Sequence, residues 1–214
     1  MKFVDVTLRD GGHQIGFNWP MEFVSEYIEI LNQFKEIKYI ELGYWKQKDK
    51  YDGGFYALDE KLLEKVCPPH IGNKFCFMID YHYCSHNLED YPKKEDFPQI
   101  DLIRMTSRDI DINKAISFIV ELKNHTKYKV SLNIFNVTNY TLEQLFNICE
   151  LCKDLDIEFI YFADTHGNLD LGNSIEEYKS LAERILKMGI KPGFHLHDHS
   201  GKAYFNFRFL EEIG

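Results

Sequence analysis

The chain has 214 residues, of which 44% are apolar and 15% aromatic, which suffices to bury a core and excludes a disordered chain. Its net charge of −9 disfavours nonspecific attraction to nucleic acid or to an anionic membrane, and no apolar run approaches the roughly 20 residues of a membrane helix. The N-terminus leads straight into a predicted strand rather than a signal peptide, and the five cysteines form no disulfide framework, so we expect a reduced, cytoplasmic protein.

Short apolar runs alternate with amphipathic stretches along the whole chain. The alternation predicts strands joined by helices, and such units form a parallel sheet with right-handed crossovers. The predicted strands are residues 3–8, 39–45, 74–81, 101–107, 129–135, 158–164 and 193–199. The predicted helices lie near residues 20–35, 57–66, 111–125, 141–154, 174–188 and 201–214, and the segment after the third strand is less regular.

Seven strand–helix units favour a TIM (β/α)8-type barrel. The count is one unit short, and barrels of this type typically need about 250 residues. With seven strands the first and last would be open parallel edges, which parallel sheets rarely tolerate. We therefore predict a single α/β barrel domain over residues 1–214 whose last βα unit is absent from this chain. A seven-stranded doubly wound open sheet is the alternative.

The pair Cys149 and Cys152 has the spacing of a redox motif. Both cysteines continue a helical series of apolar residues over 142–152. A redox pair usually opens a helix, where the helix dipole lowers the pKa of a thiol, whereas this pair lies near the end of one. We therefore favour packing in the core over redox chemistry.

Polar residues gather at the carboxyl ends of the predicted strands. In a parallel barrel these ends and the loops that follow them form the active-site face. One polar strand end is ordinary, but an accumulation around one rim indicates a functional site. The residues at these ends are Arg9, Asp10, His13, Glu41, Asp80, His82, Arg104, Asn133, Asp164 and the stretch 195–199.

The strongest single signal is the pattern His-Leu-His at the seventh strand. Alternate residues of a strand face the same side, so His195 and His197 project together and can chelate one divalent ion. A carboxylate from another strand would complete three ligands and leave positions open for water or substrate, as in catalytic metal sites. Asp10 is the best placed carboxylate in a closed barrel. The alternative is a pair of buried histidines that are only hydrogen-bonded.

The first strand leads into the stretch TLRDGGHQIGF, which places Arg9, Asp10 and His13 around two glycines. Gly11 and Gly12 would let the backbone turn sharply and approach a ligand without side chains that fill the site. The alternative is a surface loop with an ion pair between Arg9 and Asp10. That alternative leaves the matching histidine pair unexplained.

These motifs resemble those of the DRE-TIM metallolyases, also called HMGL-like proteins, and most of all the 4-hydroxy-2-oxovalerate aldolase branch. The resemblance rests on TLRDG, on IELG in the second strand, on ADTHG after the sixth and on HLHDHSGKA at the seventh, in that order along the chain. It implies that Asp10, His195 and His197 bind Mn²⁺ or Mg²⁺.

The resemblance also implies roles for four further residues. Arg9 would lie over the substrate oxygen on which negative charge develops. His13 has the spacing of the base in the aldolase branch, whereas the Claisen-type members usually read RDGEQ there. Glu41 and Asp164 correspond to polar positions of the active site.

The chain departs from the family pattern at several positions. Asp198 replaces the usual Asn after His-x-His, and it would orient a ligand imidazole or alter the substrate preference. His166 and His199 are additional imidazoles that we expect at the rim. The long, charged and aromatic loop 44–60 suggests a substrate lid or a subunit contact.

The resulting hypothesis is a metal-dependent aldolase that cleaves a 4-hydroxy-2-oxo acid to pyruvate or a related 2-oxo acid and an aldehyde, through an enolate that the metal stabilises. A Claisen-type acyl-CoA lyase or synthase, and a barrel without catalytic activity, are the alternatives. The expected partner is a small 2-oxo acid, with no nucleic acid and no membrane. The aromatic content is compatible with a homodimer, and an aldehyde product with an aldehyde dehydrogenase partner.

Overall fold

The computed structural model describes residues 1–47, 50–51, 53–67 and 74–213. The strands are β1 (Phe3–Asp5), β2 (Ile37–Tyr44), β3 (Lys74–Asp80), β4 (Ile100–Ser107), β5 (Lys129–Ile134), β6 (Phe159–Asp164) and β7 (Lys191–Leu196). The α-helices are α1 (Thr7–Asp10), α2 (Met21–Leu31), α3 (Glu60–Val66), α4 (Ile112–Thr126), α5 (Leu142–Cys152), α6 (Leu171–Lys187) and α7 (Ala203–Ile213). Within these described ranges, no helix is both long and apolar enough to cross a membrane.

The seven strands form one sheet whose order follows the chain from β1 to β7. The pairs β1–β2, β2–β3, β5–β6 and β6–β7 are parallel. A doubly wound sheet reverses its strand order at a switch point, whereas a TIM-type barrel adds each strand beside the previous one. The strand order therefore confirms the barrel-type fold. In the described part of the chain an α-helix follows every strand except β3, which leads to β4 through a 3₁₀ turn at Leu88–Asp90.

The first strand is shorter than the sequence predicts. It ends at Asp5, and Thr7–Asp10 form a single helical turn instead of continuing the strand. The Asp5 carboxylate accepts hydrogen bonds from the backbone N–H and the hydroxyl of Thr7, both at 3.2 Å. This local hydrogen bonding competes with the strand ladder and starts the turn.

One compact unit comprises Met1–Met105 and Phe118–Lys129. Its buried core includes side chains of β2 and β3 such as Leu42, Phe75 and Phe77. At the start of β4, the buried Asp101 carboxylate accepts hydrogen bonds from Lys94 at 2.9 Å and from the Tyr39 hydroxyl at 3.1 Å. Three cationic side chains lie within ion-pair distance of this carboxylate, namely those of Lys74, Lys94 and Lys129.

The other unit comprises Thr106–Ser117 and Val130–Gly214. Helix α5 begins with a capping box in which Thr141 and Gln144 each bond the backbone of the other. Cys149 and Cys152 of this helix are fully buried, and burial raises the pKa of each thiol to about 12. The core interpretation of this cysteine pair is therefore confirmed, since such thiols are not reactive.

In the same unit, Gly193 of β7 lies opposite Tyr161 of β6. A Cβ atom at Gly193 would approach the Tyr161 ring to 2.5 Å, so only glycine fits beneath that ring. The same register aligns His195 with Ala163 at the carboxyl end of the strand pair. The position of His195 thus depends on the close approach of β6 and β7.

We predict that Asp101→Asn lowers the free energy of unfolding by about 1–2 kcal/mol at pH 7, because the lysines lose their anionic acceptor. Burial by itself raises the pKa of Asp101, but the hydrogen bond and charge of Lys94, with Lys129 and Lys74, outweigh it and lower the pKa to about 2. A carboxyl with a lowered folded-state pKa stabilises the fold above its unfolded pKa of about 4. That stabilisation is lost as the pH falls from about 4 towards 2.

Urea unfolding of the wild type and of Asp101→Asn at pH 7 and at pH 3 measures this effect. The difference between the two proteins should be smaller at pH 3. The exposed Asp96 offers a matched control, since Asp96→Asn should change little at either pH. An Asp101→Asn cost that is independent of pH would contradict the assignment of the lowered pKa.

Candidate active site

Within the first unit, the centre of the candidate site is a buried ion cluster at β2. Glu41 has 0% exposure and accepts hydrogen bonds from two arginines, from Arg9 Nε at 2.7 Å and from Arg104 Nη1 at 2.8 Å. Each carboxylate oxygen thus faces a different guanidinium. Both arginines are also buried, so the cluster excludes water and fixes the geometry of all three side chains.

Arg9 holds several partners at once. Burial would lower its pKa, but the charges of Glu41 and Asp10, with the Tyr44 hydroxyl nearby, outweigh burial and raise the pKa, so the guanidinium stays charged. Nη1 donates to the Asp10 carboxylate and, at 3.4 Å, to the Tyr44 hydroxyl. Nη2 is buried and has no hydrogen-bond partner among the residues that the structure describes. One N–H-bearing nitrogen of a fixed cation is therefore available to a ligand oxygen.

His13 lies on a short 3₁₀ turn, Gly11–Gln14, that follows directly on α1. Its Nε2 is 3.2 Å from the Tyr44 hydroxyl, and its ring packs edge-on against the ring of Phe17 at 4.9 Å. Desolvation lowers the pKa of His13, the Asp10 charge raises it, and the charges of Arg9 and Lys46 lower it further. The net lowering favours the neutral imidazole, which can accept a proton.

Gly12 has a packing role that the sequence does not suggest, and neither glycine of this turn needs an unusual backbone angle. Neither Gly11 nor Gly12 has a positive φ, whereas Gly16 and Phe17 do, with φ of 61° and 60°. A Cβ atom at Gly12 would meet the ring of Phe17 at 2.5 Å. Gly12 therefore makes room for the aromatic ring that contacts His13, and not for an unusual backbone angle.

Within the second unit, His195 and His197 face the same side at the end of β7. Their rings stack with centroids 4.7 Å apart and an interplanar angle of 25°. This arrangement confirms the alternation that the His-Leu-His pattern predicts. The strand itself ends at Leu196, so His197 is the first residue after it.

The orientation of His197 is fixed by the main chain. Its Nδ1 lies 2.9 Å from the carbonyl oxygen of Asp164, so Nδ1–H is the donor and Nε2 carries the lone pair. Metal-binding histidines typically donate their other N–H to an oxygen in this way, because the bond fixes the tautomer and the ring orientation. The geometry of His197 therefore fits metal ligation through Nε2.

Two aspartates of this unit have roles that the sequence does not predict. Asp164 is buried, and its Oδ1 accepts hydrogen bonds from the backbone N–H groups of Asn168 and Leu169 at 2.8 and 3.1 Å. Its side chain thus shapes the loop after β6. Asp198 is exposed and accepts a bond from the N–H of Ala203, the first residue of α7. The expectation that Asp198 orients a ligand imidazole is wrong, since the Asp164 carbonyl does so for His197.

Two further imidazoles of the second unit, His166 and His199, are exposed, as expected for residues at the rim. The loop 44–60 lies partly outside the described residues, at Lys48, Asp49 and Asp52. Its described part contributes two residues that sequence analysis did not single out, namely Tyr44 and Lys46. The stretch 44–60 contains three lysines and three tyrosines, and this composition does not reveal which of them meet in the folded loop.

Most of the candidate residues fall into two groups, one in each unit. Arg9, Asp10, His13 and Glu41 are linked through direct bonds or through Tyr44. His195, His197 and the backbone of Asp164 form the other group. The carboxylates of Glu41 and Asp164, which the sequence suggests as polar active-site groups, both bond the protein itself.

No protein-family model and no curated protein matches this sequence. The fold is similar to that of the N-terminal domain of a protein named as an aldolase from Bacteroides vulgatus, with a TM-score of 0.76 and 21% identity over 100% of this chain and 70% of that one. An HMG-CoA lyase from Acinetobacter baumannii matches with a TM-score of 0.69 and 16% identity, over 100% and 72%.

The carboxyl transferase domain of Rhizobium etli pyruvate carboxylase also matches, with a TM-score of 0.69 and 16% identity over 100% of this chain and 38% of that one. At these identities the likeness establishes a shared fold. It supports the barrel class that the strand order defines.

We predict that Glu41→Gln destabilises the protein by about 3 kcal/mol, because two buried guanidinium groups lose their shared counter-charge. The exposed pair of Arg208 and Glu211 supplies a matched control, and Glu211→Gln should cost less than about 1 kcal/mol. Denaturant unfolding at pH 7 measures both values. Equal costs for the two variants would show that the buried cluster does not stabilise the fold.

Proposed function

We propose that the protein is a divalent-metal-dependent carbon–carbon lyase of the DRE-TIM metallolyase type, acting as an aldolase. It cleaves a 4-hydroxy-2-oxo acid to pyruvate or a related 2-oxo acid and an aldehyde. The observation that carries the proposal is the pair of half-buried imidazoles, His195 and His197, which face the same side at the end of β7. The family resemblance adds the half-buried carboxylate of Asp10 as the third ligand. Two imidazoles and one carboxylate leave coordination positions for substrate oxygens.

The chemistry of the donors suits Mn²⁺ or Mg²⁺ with a 2-oxo acid. The His197 tautomer leaves Nε2 as its ligand atom, and the Asp10 carboxylate forms an ion pair with Arg9. A bound cation of this kind supplies Lewis acidity to the keto and carboxylate oxygens of a 2-oxo acid. The family resemblance in the sequence names the same three ligands.

Arg9 stabilises the negative charge that develops on the keto oxygen during cleavage. Glu41 holds the guanidinium in place before the substrate arrives, so no reorganisation is required. The Nη2 atom, which is buried and has no partner among the described residues, donates to that oxygen. Arginine suits this role because it stays charged and presents its donors in a fixed plane.

His13 takes the proton of the 4-hydroxyl group as the carbon–carbon bond breaks. Its lowered pKa keeps the imidazole neutral at pH 7, as a general base must be. Burial raises the pKa of the Tyr44 phenol, so the residue stays neutral beside His13. In the tautomer that serves as base, His13 Nε2–H donates to the Tyr44 hydroxyl oxygen at 3.2 Å, and Nδ1 keeps the lone pair that accepts the substrate proton. The tyrosine thus holds the ring of the base next to the guanidinium of Arg9.

A second candidate is an acyl-CoA lyase, and the similarity to HMG-CoA lyases from two bacteria favours it. His13 argues for the aldolase branch instead, because the Claisen-type members usually have other residues at this position. Release of free coenzyme A from an acyl-CoA substrate distinguishes the two reactions. Tight Mn²⁺ binding with turnover of neither substrate class would indicate a barrel without catalytic activity.

We predict that Mn²⁺ stimulates cleavage of a 4-hydroxy-2-oxo acid, with pyruvate measured as the product. Asp10→Asn, His195→Ala and His197→Ala should each weaken Mn²⁺ binding by more than the roughly 10- to 100-fold that loss of an outer hydrogen-bond partner costs. The electron paramagnetic resonance signal of free Mn²⁺ measures this affinity independently of activity.

The exposed His166 supplies the control for this experiment, because His166→Ala removes an imidazole without touching the proposed ligands. This variant should bind Mn²⁺ like the wild type. Unchanged Mn²⁺ affinity in the three ligand variants would overturn the proposed metal site. Cleavage that is insensitive to chelators would overturn the metal-dependent mechanism.

We also predict an acidic limb in the pH profile of kcat/KM with its midpoint below the ordinary imidazole value of about 6.5. The limb reports His13, because its net pKa shift is downward and only the neutral ring accepts a proton. His13→Ala should remove the limb and reduce turnover by about 10²- to 10⁴-fold. A limb that persists in His13→Ala would assign the base to another residue.

A further inference from the structure

Lys46 lies in an aromatic cage just after β2. Its side chain is only 6% exposed, and its Nζ lies over the rings of four tyrosines. The distances from Nζ to the ring centroids are 3.5 Å for Tyr56, 4.8 Å for Tyr51, 4.9 Å for Tyr44 and 5.5 Å for Tyr83. We call Lys46 and these four residues the tyrosine cage.

The tyrosine cage does not satisfy the ammonium group. Ring faces attract a cation, with about 2 kcal/mol for a desolvated pair, but they do not replace acceptors for three N–H groups. In the described part of the chain, no carboxylate and no hydrogen-bond acceptor pairs with Lys46, whereas the buried Arg9 and Arg104 share Glu41. Burying a charge without a counter-charge costs free energy of folding, so a buried, unpaired ammonium group is a candidate for binding an anionic ligand.

The cage adjoins the proposed active site through Tyr44. The hydroxyl of this residue contacts Arg9 and His13 at 3.4 and 3.2 Å, while its ring face meets the Lys46 ammonium. One aromatic ring thus separates the two cations. Arg9 Cζ and Lys46 Nζ lie 5.6 and 4.9 Å from the centroid of the Tyr44 ring, so both cations border the same ring.

The position of the cage depends on Gly43. A Cβ atom at Gly43 would lie 2.1 Å from the carbonyl oxygen of Phe55, so only glycine lets the segment at Phe55 pack on β2. The backbone N–H of Leu58 then bonds the carbonyl of Tyr44 at 2.8 Å. These contacts bring Tyr56 over the lysine that follows the strand.

We propose that Lys46 binds a second carboxylate of the substrate and makes the site selective for a dicarboxylic 4-hydroxy-2-oxo acid. The inference rests on the proposed function and names the substrate class of that site. A carboxylate suits the cage better than a phosphate, because phosphate sites gather several donors from arginines or backbone N–H groups and the cage presents one ammonium. Lys46 is then a specificity-determining residue.

A pair of matched ligands tests this inference without turnover. 2-Oxoglutarate and 2-oxopentanoate have the same chain length and differ in a terminal carboxylate or methyl group, and neither has the 4-hydroxyl that cleavage requires. Calorimetric titration of the Mn²⁺-loaded protein should show about tenfold or greater preference for 2-oxoglutarate, equivalent to about 1.4 kcal/mol. Lys46→Met and Lys46→Gln should remove the preference by weakening only 2-oxoglutarate.

Lys38 provides the matched control, since its Nζ also lies over one tyrosine ring, that of Tyr39 at 5.2 Å, and Lys38→Met should keep the wild-type preference. Equal binding of both ligands to the wild type would overturn the role of Lys46 while leaving the aldolase proposal intact. A preference that survives in Lys46→Met would do the same. Failure of both ligands to bind would overturn the oxo-acid site and this inference together.

Discussion

The candidate site depends on the ion pairs that the buried carboxylate of Glu41 makes with Arg9 and Arg104. A carboxylate with no access to water is tolerated only when opposite charge and hydrogen bonds replace its hydration. Arg9 and Arg104 do this by donating to different carboxylate oxygens. Because Glu41 lies within β2, between β1 and β3, the strand fixes Arg9, and Arg9 in turn orients Asp10 and the Tyr44 hydroxyl. A structural ion cluster thereby positions the groups proposed to contact the metal and the substrate.

A second constraint acts at the end of β7, where the main chain orients the histidines. The carbonyl of Asp164 accepts from His197, and the register of β6 with β7 sets the position of His195. Backbone groups cannot change rotamer, so they hold an imidazole more firmly than a flexible carboxylate would. The carboxylate of Asp164 is consequently available to shape the following loop. Fixing the imidazoles through backbone groups suits a site that must be ordered before it binds its ligand.

Pattern and spacing were informative where the governing interactions are local. Alternation of apolar residues predicts the strands and helices well, and two-residue periodicity predicts that His195 and His197 share a face. The prediction fails at Thr7–Asp10, where a side chain of the preceding strand bonds the backbone and starts a helical turn. It also fails for Asp198, whose carboxylate bonds the start of α7 and not an imidazole. Both failures involve polar side chains with a choice between several nearby donors.

Periodicity and chain order suffice to predict the α/β class, the order of the elements and the polar residues at the strand ends. The choice of a barrel over an open sheet needed the strand order, and the bonding partners of the polar residues needed the folded chain. It joined Glu41 to an arginine 32 residues earlier and to another 63 residues later. It also enclosed Lys46 among four tyrosines of the same unit. Such pairings depend on distances between segments that are remote in the chain, and no local pattern of residues encodes those distances.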